Sequence, residues 1–202
     1  MAANRAPESY SKSELRAQVR ASRAARSVQE RQVAGDSIAS HVLPIVRERG
    51  SASVACYFSW ATEPTTQPLL HQLWNAGITV LTPRVRGTDL EWVHSDATSK
   101  YVSGSFGIRE VLGGEVVSLE TVDLVLMPAL AVSTAGARLG QGGGFYDRAL
   151  AALEEIPLLM AVMFADEDGV NVPAESHDVA VDVVATEQGV RWITRGGSSK
   201  ST

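Results

Sequence analysis

The sequence predicts a single α/β domain with a mostly parallel central sheet, helices on both faces and an antiparallel edge. Apolar runs of strand length alternate along the chain with helical patterns. These runs are continuous rather than interrupted by polar residues at every second position, as expected for strands that are covered on both faces. The 202 residues are 45% hydrophobic, enough for one sizeable core. We place the domain at residues 11–194 and expect residues 1–10 and 195–202 to be mobile, because both ends lack periodicity and core-forming residues.

Start and stop signals predict the first two helices. Ser11 followed by Glu14 has the spacing of a capping box, and the segment after it lacks Gly and Pro. A second helix is expected from about Val28 to Val46, with Gly50 closing it. Later helical patterns are "TQPLLHQLWNAG" and "DRALAALEE".

Six apolar runs are predicted to form the sheet. We expect the short run "LEWVHS" and the terminal run "VAVDVVATEQGVRWIT", which has the pattern of strand, turn and strand, to pair antiparallel at an edge. The other runs are "SVACYFSW", "ITVLTPRV", "VDLVLMPAL" and "LLMAVMF".

Composition restricts the class of ligand and the compartment. A formal net charge of −5 argues against a general nucleic-acid binder, so any bound anion should be held locally. No apolar run approaches the roughly 18 residues of a membrane span, and the N-terminus lacks the apolar core of a secretory signal. Residues 5–31 are rich in Arg and Ser, as in transit peptides, but three glutamates interrupt them.

The single cysteine, Cys56, permits no internal disulfide and is most simply a buried, inert thiol. We therefore expect a cytoplasmic monomer that binds small molecules and neither nucleic acid nor membrane.

The segment "RLGQGGGFYDR", from Arg138 to Arg148, is the strongest candidate for a ligand site. It follows the run "VDLVLMPAL", and ligands of open α/β sheets bind at the carboxyl ends of strands. Its glycines allow the backbone to approach an anion closely, while N–H groups at the start of the next helix point towards it. Both arginines offer planar charged groups for phosphate oxygens, and Asp147 offers a hard oxygen ligand for Mg²⁺.

Simpler interpretations of this loop stay open. Gly-rich segments are often plain turns, and an aspartate near a helix start is often a cap. The loop lacks the Gly-Lys-Ser/Thr ending of a P-loop and does not fit the G-x-G-x-x-G dinucleotide pattern.

Two further charge patterns are candidates for the same site. Lys12, Arg16 and Arg20 recur every four residues and share one face of the first helix, although such a stripe is usually a solvated surface. Asp178 and Asp182 are four residues apart in a strand-like segment and therefore point to one side, so either could complete a metal site with Asp147.

The segment "MPALAVSTAGARLGQGGGFYDR" resembles the motif of the 5-formyltetrahydrofolate cyclo-ligase family. The resemblance extends over roughly residues 12 to 187, because five more segments fall in the family's order: "KSELR", "YFSWATEPTT", "TPRV", "GSFGIREV" and "HDVAVDVV". The chain departs from the family at Phe145, where Tyr is common, at Ser133, a frequent Asp, and at Ala129, a frequent Gly.

The resemblance implies the cyclisation of 5-formyltetrahydrofolate to 5,10-methenyltetrahydrofolate, with ATP as co-substrate, Mg²⁺ as cofactor, and release of ADP and phosphate. Arg138 and Arg148 are then expected to neutralise the transferring phosphate, and Mg²⁺ is expected on Asp147 and Asp178. The residues expected to contact ATP are Lys12, Arg16, Arg138, Leu139, Gly140, Gln141, Gly142, Gly143, Gly144, Phe145 and Tyr146. Those expected to contact folate are Phe58, Glu63, Gln141, Gly142, Gly143, Gly144 and Phe145, with Glu63 on the pterin.

The remaining candidates have weaker support. Trp60 is either a stacking surface for the folate or a core residue. Arg20 and Arg23 are expected to be surface residues, and Asp182 and His177 to orient their neighbours.

A non-catalytic module is the alternative function. A folate or sugar-phosphate sensor on a similar sheet would also need a glycine-rich anion site, but it has no evident need for a metal pair beside a cationic stripe.

Overall fold

The computed structural model describes residues 10–175 and 178–194. The segments expected to be mobile lie outside these residues, except for Tyr10, and so does His177. The α-helices within the described residues are α1 Lys12–Ala24, α2 Val28–Glu48, α3 Gln67–Asn75 and α4 Phe145–Ala151. The strands are β1 Ser53–Ala55, β2 Thr79–Arg86, β3 Asp89–Ser95, β4 Tyr101–Ser103, β5 Arg109–Val111, β6 Val116–Val117, β7 Leu124–Pro128, β8 Ala131–Val132, β9 Arg138–Leu139, β10 Leu158–Val162, β11 Val183–Thr186 and β12 Gly189–Trp192.

An eight-stranded sheet forms the centre of the molecule, in the order β12-β11-β10-β7-β1-β2-β3-β6. The strands from β11 to β2 in that order pair in parallel. β12 is antiparallel at one edge, and β3 and β6 are antiparallel at the other. The predicted fold class is confirmed. β3, the "LEWVHS" strand, lies one position in from the edge because β6 pairs with it.

Helices cover both faces of the sheet. Val54 in β1 packs in a cluster with residues of α2 and α3, whereas its neighbour Ala55 packs in a second cluster with Leu150 of α4. Because successive strand residues point to opposite faces, α2 and α3 lie on one face and α4 on the other.

Helix α1 packs elsewhere. Leu15 and Val19 pack against Leu130, Ala131 and Leu139, which belong to the β8–β9 ribbon or adjoin it. This contact places the exposed, basic side of α1 beside the loop that follows β9.

The helix boundaries follow the sequence signals closely. Both Ser11 and Ser27 form complete capping boxes, with Glu14 and Glu30 respectively, and Gly50 has φ +66° just beyond α2. α4 begins at Phe145 and ends at Ala151, earlier than the pattern "DRALAALEE" predicts. No helix within residues 10–175 and 178–194 is long and apolar enough to cross a membrane.

Two predictions of strand extent are wrong. The strand within "SVACYFSW" ends at Ala55, because the next residues leave the sheet to form a cavity wall. Asp178 and Asp182 precede β11 in irregular backbone rather than occupying one strand, so the alternation argument does not apply to them. Asp182 instead accepts a hydrogen bond from the Leu159 amide at 3.0 Å, which agrees with the positioning role expected for it.

Candidate active site

A cavity of about 700 Å³ opens at the carboxyl ends of β1, β2 and β7. Tyr57 and Phe58 extend from β1 into its wall, Pro83 and Val85 contribute from β2, and Pro128 ends β7 there. This is the edge of the sheet at which α/β proteins bind ligands, as the position of the glycine loop predicts.

The glycine loop, residues 140–144, forms one wall of the cavity. Gly142 has φ +102°, a conformation that residues with a side chain rarely adopt. At Gly140, an added Cβ would lie 2.8 Å from Nη1 of Arg138. Gly140 thus leaves room for the Arg138 guanidinium against the backbone of the loop.

The basic stripe of α1 faces the same cavity. Nε of Arg16 donates to the carbonyl oxygen of Gly140 at 2.9 Å, and Nη2 of Arg20 donates to the carbonyl oxygen of Gln141 at 3.0 Å. Lys12 lines the cavity beside them. The stripe thus lines the cavity, and Arg20 is exposed as expected but also contacts the glycine loop.

Two aspartates in the cavity wall are each paired with a cation. Oδ1 of Asp147 lies 2.7 Å from Nη2 of Arg138, and Oδ2 of Asp178 lies 2.7 Å from Nζ of Lys12. Glu175 lies 3.0 Å from the same ammonium group. Partial burial lowers the pKa of Lys12, but the hydrogen bonds and charges of Asp178 and Glu175 outweigh it, so the net shift is upward.

These aspartates fit a nucleotide-bound Mg²⁺. No group of three or more His, Cys, Asp or Glu side chains within the described residues is arranged to hold a metal ion alone. Mg²⁺ in nucleotide sites is commonly held by one or two carboxylates together with substrate phosphates, so two carboxylates suffice. Gly144, not Asp147, is the N-cap of α4, so capping does not explain Asp147.

Glu63 is buried in the cavity wall, with 7% of its surface exposed. Oε2 accepts a hydrogen bond from the Trp60 amide at 2.9 Å. Burial raises the pKa of Glu63 to about 7, although the Trp60 amide, the charge of Arg23 and a hydrogen bond with Gln141 oppose the shift. A buried carboxyl group that lines the cavity can accept hydrogen bonds from a ligand that donates them. Trp60 itself is 39% exposed and lines the cavity, so it is no core residue.

Two tyrosines that line the cavity have buried hydroxyl groups without a partner among the described residues. The hydroxyl groups of Tyr57 and Tyr146 are buried and make no hydrogen bond to the described residues. Burial raises the pKa of both hydroxyls, and the charge of Glu63 adds to the shift. Both residues line the cavity, although the hydroxyl oxygens themselves are buried. Sequence reasoning missed Tyr57, because it stands inside an apolar run.

Three residues considered in the sequence analysis, Leu139, Arg148 and Arg23, are not among those that line the cavity. Leu139 is fully buried in the packing under α1 and is not among the residues that line the cavity. Arg148 is also outside that set, because its guanidinium donates to the carbonyl of Thr88. Arg23, expected at the surface, is 1% exposed and is paired with Glu167 at 2.6 Å.

A third wall comes from the segment "GSFGIREV", which the resemblance included but to which no site residue was assigned. It comes from the β4–β5 ribbon and its turn, where Phe106, Ile108, Arg109 and Glu110 line the cavity. The strands of this ribbon have only three residues each, too short for a periodic signal.

Comparison with known proteins shows a likeness over most of the chain. The sequence model of the 5-formyltetrahydrofolate cyclo-ligase family matches residues 8–187. A 5-formyltetrahydrofolate cyclo-ligase of Mycolicibacterium smegmatis is 37% identical over 149 residues, covering 66% of this chain and 73% of that protein. The enzyme of the same name from Haemophilus influenzae is 30% identical over 82% of this chain and 92% of its own length. The NMR structure of Aquifex aeolicus 5,10-methenyltetrahydrofolate synthetase superposes with a TM-score of 0.81, at 30% identity, covering 95% of this chain and 96% of that one.

Proposed function

Because this chain belongs to the 5-formyltetrahydrofolate cyclo-ligase family, we propose that its cavity is where the enzyme closes the ring of 5-formyltetrahydrofolate to give 5,10-methenyltetrahydrofolate. Family membership makes the protein an ATP-dependent ligase of one-carbon folate metabolism. One observation supports the placement of the reaction: the basic stripe of α1, the glycine loop and the buried carboxyl group of Glu63 all line one cavity.

The chemistry explains why ATP is needed. The formyl group is amide-like and so a poor electrophile, and its oxygen is a poor leaving group. In the proposed sequence the formyl oxygen attacks the γ-phosphorus and ADP leaves, which gives an N5-iminium phosphate. N10 then attacks the activated formyl carbon and loses its proton, and the C–O bond breaks to release phosphate. The substrate supplies its own nucleophiles, so the protein has to align the reactants and neutralise charge.

The phosphates are proposed to bind between α1 and the glycine loop. Lys12, Arg16 and Arg138 line this part of the cavity. Their positive charges are already in position, so neutralising the phosphate during the transfer needs little rearrangement of the protein. The backbone of residues 140–144 would let the phosphates approach its N–H groups closely, because four of these five residues are glycines. Arg148 is held at Thr88, and its catalytic role stays a prediction.

Asp147 and Asp178 would hold Mg²⁺. The ion would supply additional neutralisation of the phosphate oxygens. Each carboxylate already lies beside a cavity cation, Arg138 or Lys12, so metal and cations would act on the same phosphates.

The folate is proposed to bind on the β1 side of the cavity. The carboxylate of Glu63 would accept two hydrogen bonds from the ring amide and amino groups of the pterin, with Phe58 as an apolar contact. Gln141, the following glycines and Phe145 lie where the two substrates would meet.

The test combines substrate omission with a matched pair of variants. Methenyl product, followed by its near-ultraviolet absorbance, should form only when ATP and Mg²⁺ are both present, together with equimolar ADP. Arg16→Gln in the cavity should slow the reaction, whereas Arg47→Gln, on the exposed side of α2, should not. Equal conversion without ATP would contradict the mechanism, and a wild-type rate in Arg16→Gln would contradict the site.

The compartment and the assembly state stay proposals as well. A cytoplasmic location is supported by the single cysteine, Cys56, which permits no internal disulfide; it is buried, and burial raises its thiol pKa to about 12.

A further inference from the structure

Arg109 is a cavity cation to which the proposed reaction gives no task. It begins β5, is exposed and lines the cavity. Its guanidinium carbon lies 5.6 Å from the ring centre of Phe58 and 5.2 Å from that of Tyr101. Among the described residues no carboxylate lies within 4.0 Å of its nitrogen atoms, in contrast to Lys12 and Arg138.

The two rings hold this guanidinium in place. Phe58 and Tyr101 pack edge to face at 5.0 Å, and the hydroxyl of Tyr101 donates to the carbonyl oxygen of Asp96 at 3.0 Å. The next residue, Glu110, accepts a hydrogen bond from the Val85 amide at 3.0 Å and so ties the ribbon to β2. Cation–π contacts with the rings use no N–H group of the guanidinium as a hydrogen-bond donor, so these groups can bind a planar anion such as a carboxylate.

The position of Arg109 selects the anion. It packs on Phe58, which belongs to the folate side of the cavity under the proposed function, whereas the cations assigned to the phosphates surround the glycine loop. A folate carries negative charge at one end only, on the carboxylates of its glutamate tail. The chain has a net charge of −5, so a tail carboxylate needs a local cation to be held.

We propose that Arg109 binds a glutamate carboxylate of the folate tail and makes the enzyme selective for folates with an anionic tail. The inference rests on the proposed function, because that function places the folate beside Phe58. Arg109 is then a specificity residue that acts on substrate binding and not on phosphate transfer.

The experiment crosses a change in the protein with a change in the substrate. Wild type, Arg109→Gln and the surface control Arg47→Gln are each assayed with 5-formyltetrahydrofolate and with its diamide, in which both tail carboxylates are amides. Arg109→Gln should raise the KM for 5-formyltetrahydrofolate roughly 10-fold, the effect of one partly exposed charged hydrogen bond. The KM for the diamide, the KM for ATP and kcat should not change. Arg47→Gln should match wild type throughout.

Other outcomes overturn the inference. An equal rise in KM for both folates would mean that Arg109 acts on the pterin or on the cavity wall. A rise in the KM for ATP would make it a phosphate cation, and no change at all would give it no part in binding. Equilibrium binding of both folates without ATP separates this inference from the proposed function. If wild type binds 5-formyltetrahydrofolate but does not convert it, the proposed reaction is contradicted, and the binding constants of wild type and Arg109→Gln still test the inference. If wild type binds neither 5-formyltetrahydrofolate nor its diamide, the proposed function and the inference are both overturned.

Discussion

Nη2 of the buried Arg138 lies 2.7 Å from Oδ1 of Asp147, nine residues further along the chain. The first residue is proposed to neutralise phosphate and the second to hold Mg²⁺, so without ligand each neutralises the other. The pair keeps a buried guanidinium compensated until the charged substrate arrives.

The Asp147→Asn variant tests the metal assignment. Asn keeps a carbonyl oxygen but loses the charge that a hard dication prefers. The variant should fold, need more Mg²⁺ for half-maximal rate, and turn over at least ~10²-fold more slowly, comparable to the loss of one transition-state electrostatic contact. The measurement is a Mg²⁺ titration of the rate, with thermal melts to confirm folding.

Asp182→Asn is the matched control for that titration. Asp182 bonds the Leu159 amide, and an Asn oxygen can accept the same bond. Its Mg²⁺ midpoint should equal that of wild type. If Asp147→Asn leaves the midpoint unshifted and Asp182→Asn moves it, the metal site has been assigned to the wrong aspartate.

Glu63→Gln should weaken folate binding and spare ATP. Gln accepts only one of the two pterin N–H bonds and turns a donor towards a donor, which costs about 1.5–3 kcal/mol of folate binding. Steady-state KM values for both substrates measure the effect. A raised KM for ATP with an unchanged KM for folate would put Glu63 on the other substrate.

The same carboxyl group should make folate affinity depend on pH. The pKa of Glu63 is raised to about 7, and only its ionised form accepts both pterin bonds, so wild-type affinity should increase from pH 6 to pH 8.

The free energy of unfolding without ligand should change in the opposite sense, decreasing as the pH rises. Because the folded-state pKa exceeds the ordinary value of 4.5, this group stabilises the fold fully below pH 4.5 and loses that contribution as the pH rises through 7. Both trends should be missing in Glu63→Gln, and their persistence there would assign them to another group.

Gly142→Ala should impair nucleotide binding beyond its effect on stability. The residue has φ +102°, and an added Cβ would lie 3.5 Å from Arg16. Gly50→Ala is a suitable control, since Gly50 also has positive φ, at +66°, but an added Cβ there meets nothing within 4 Å. Both variants should lose about 1–3 kcal/mol of unfolding free energy, and only Gly142→Ala should raise the KM for ATP. Equal KM values in the two variants would contradict the role of the loop.

Arg23→Met should destabilise the protein by about 3–5 kcal/mol, because it leaves the buried carboxylate of Glu167 without its partner. Replacing both residues by Met should restore much of that loss. Arg26→Met, which removes a pair with the exposed Asp166, should cost about 1 kcal/mol or less. Urea denaturation measures all three, and equal losses for Arg23→Met and Arg26→Met would disprove the buried-pair argument.

Local signals in the sequence were sufficient to predict the helices and the central strands of the fold. Capping boxes at Ser11 and Ser27 and continuous apolar runs depend on neighbouring residues, and they predicted the helices and the parallel centre of the sheet. The residue patterns alone indicated the glycine loop, the stripe and the aspartates, and the resemblance added Phe58 and Glu63. The structure brings most of these residues to one cavity.

Long-range pairing explains the failures. Arg23 looks like a surface residue until Glu167, 144 residues away, is brought to it by the fold. Tyr57 looks like a core residue and is one, yet the turn of the chain beyond β1 also places it among the residues that line the cavity. No window of neighbouring residues contains such information, because it depends on which segments meet.

The ion pair between Lys12 and Asp178 joins residues that are 166 positions apart. During synthesis, α1 leaves the ribosome long before the segment that carries Asp178, and before the glycine loop that Arg16 and Arg20 hold. The proposed site is therefore among the last parts of this protein to form, and α1 has to wait for residues 130–139 before its apolar side can be covered.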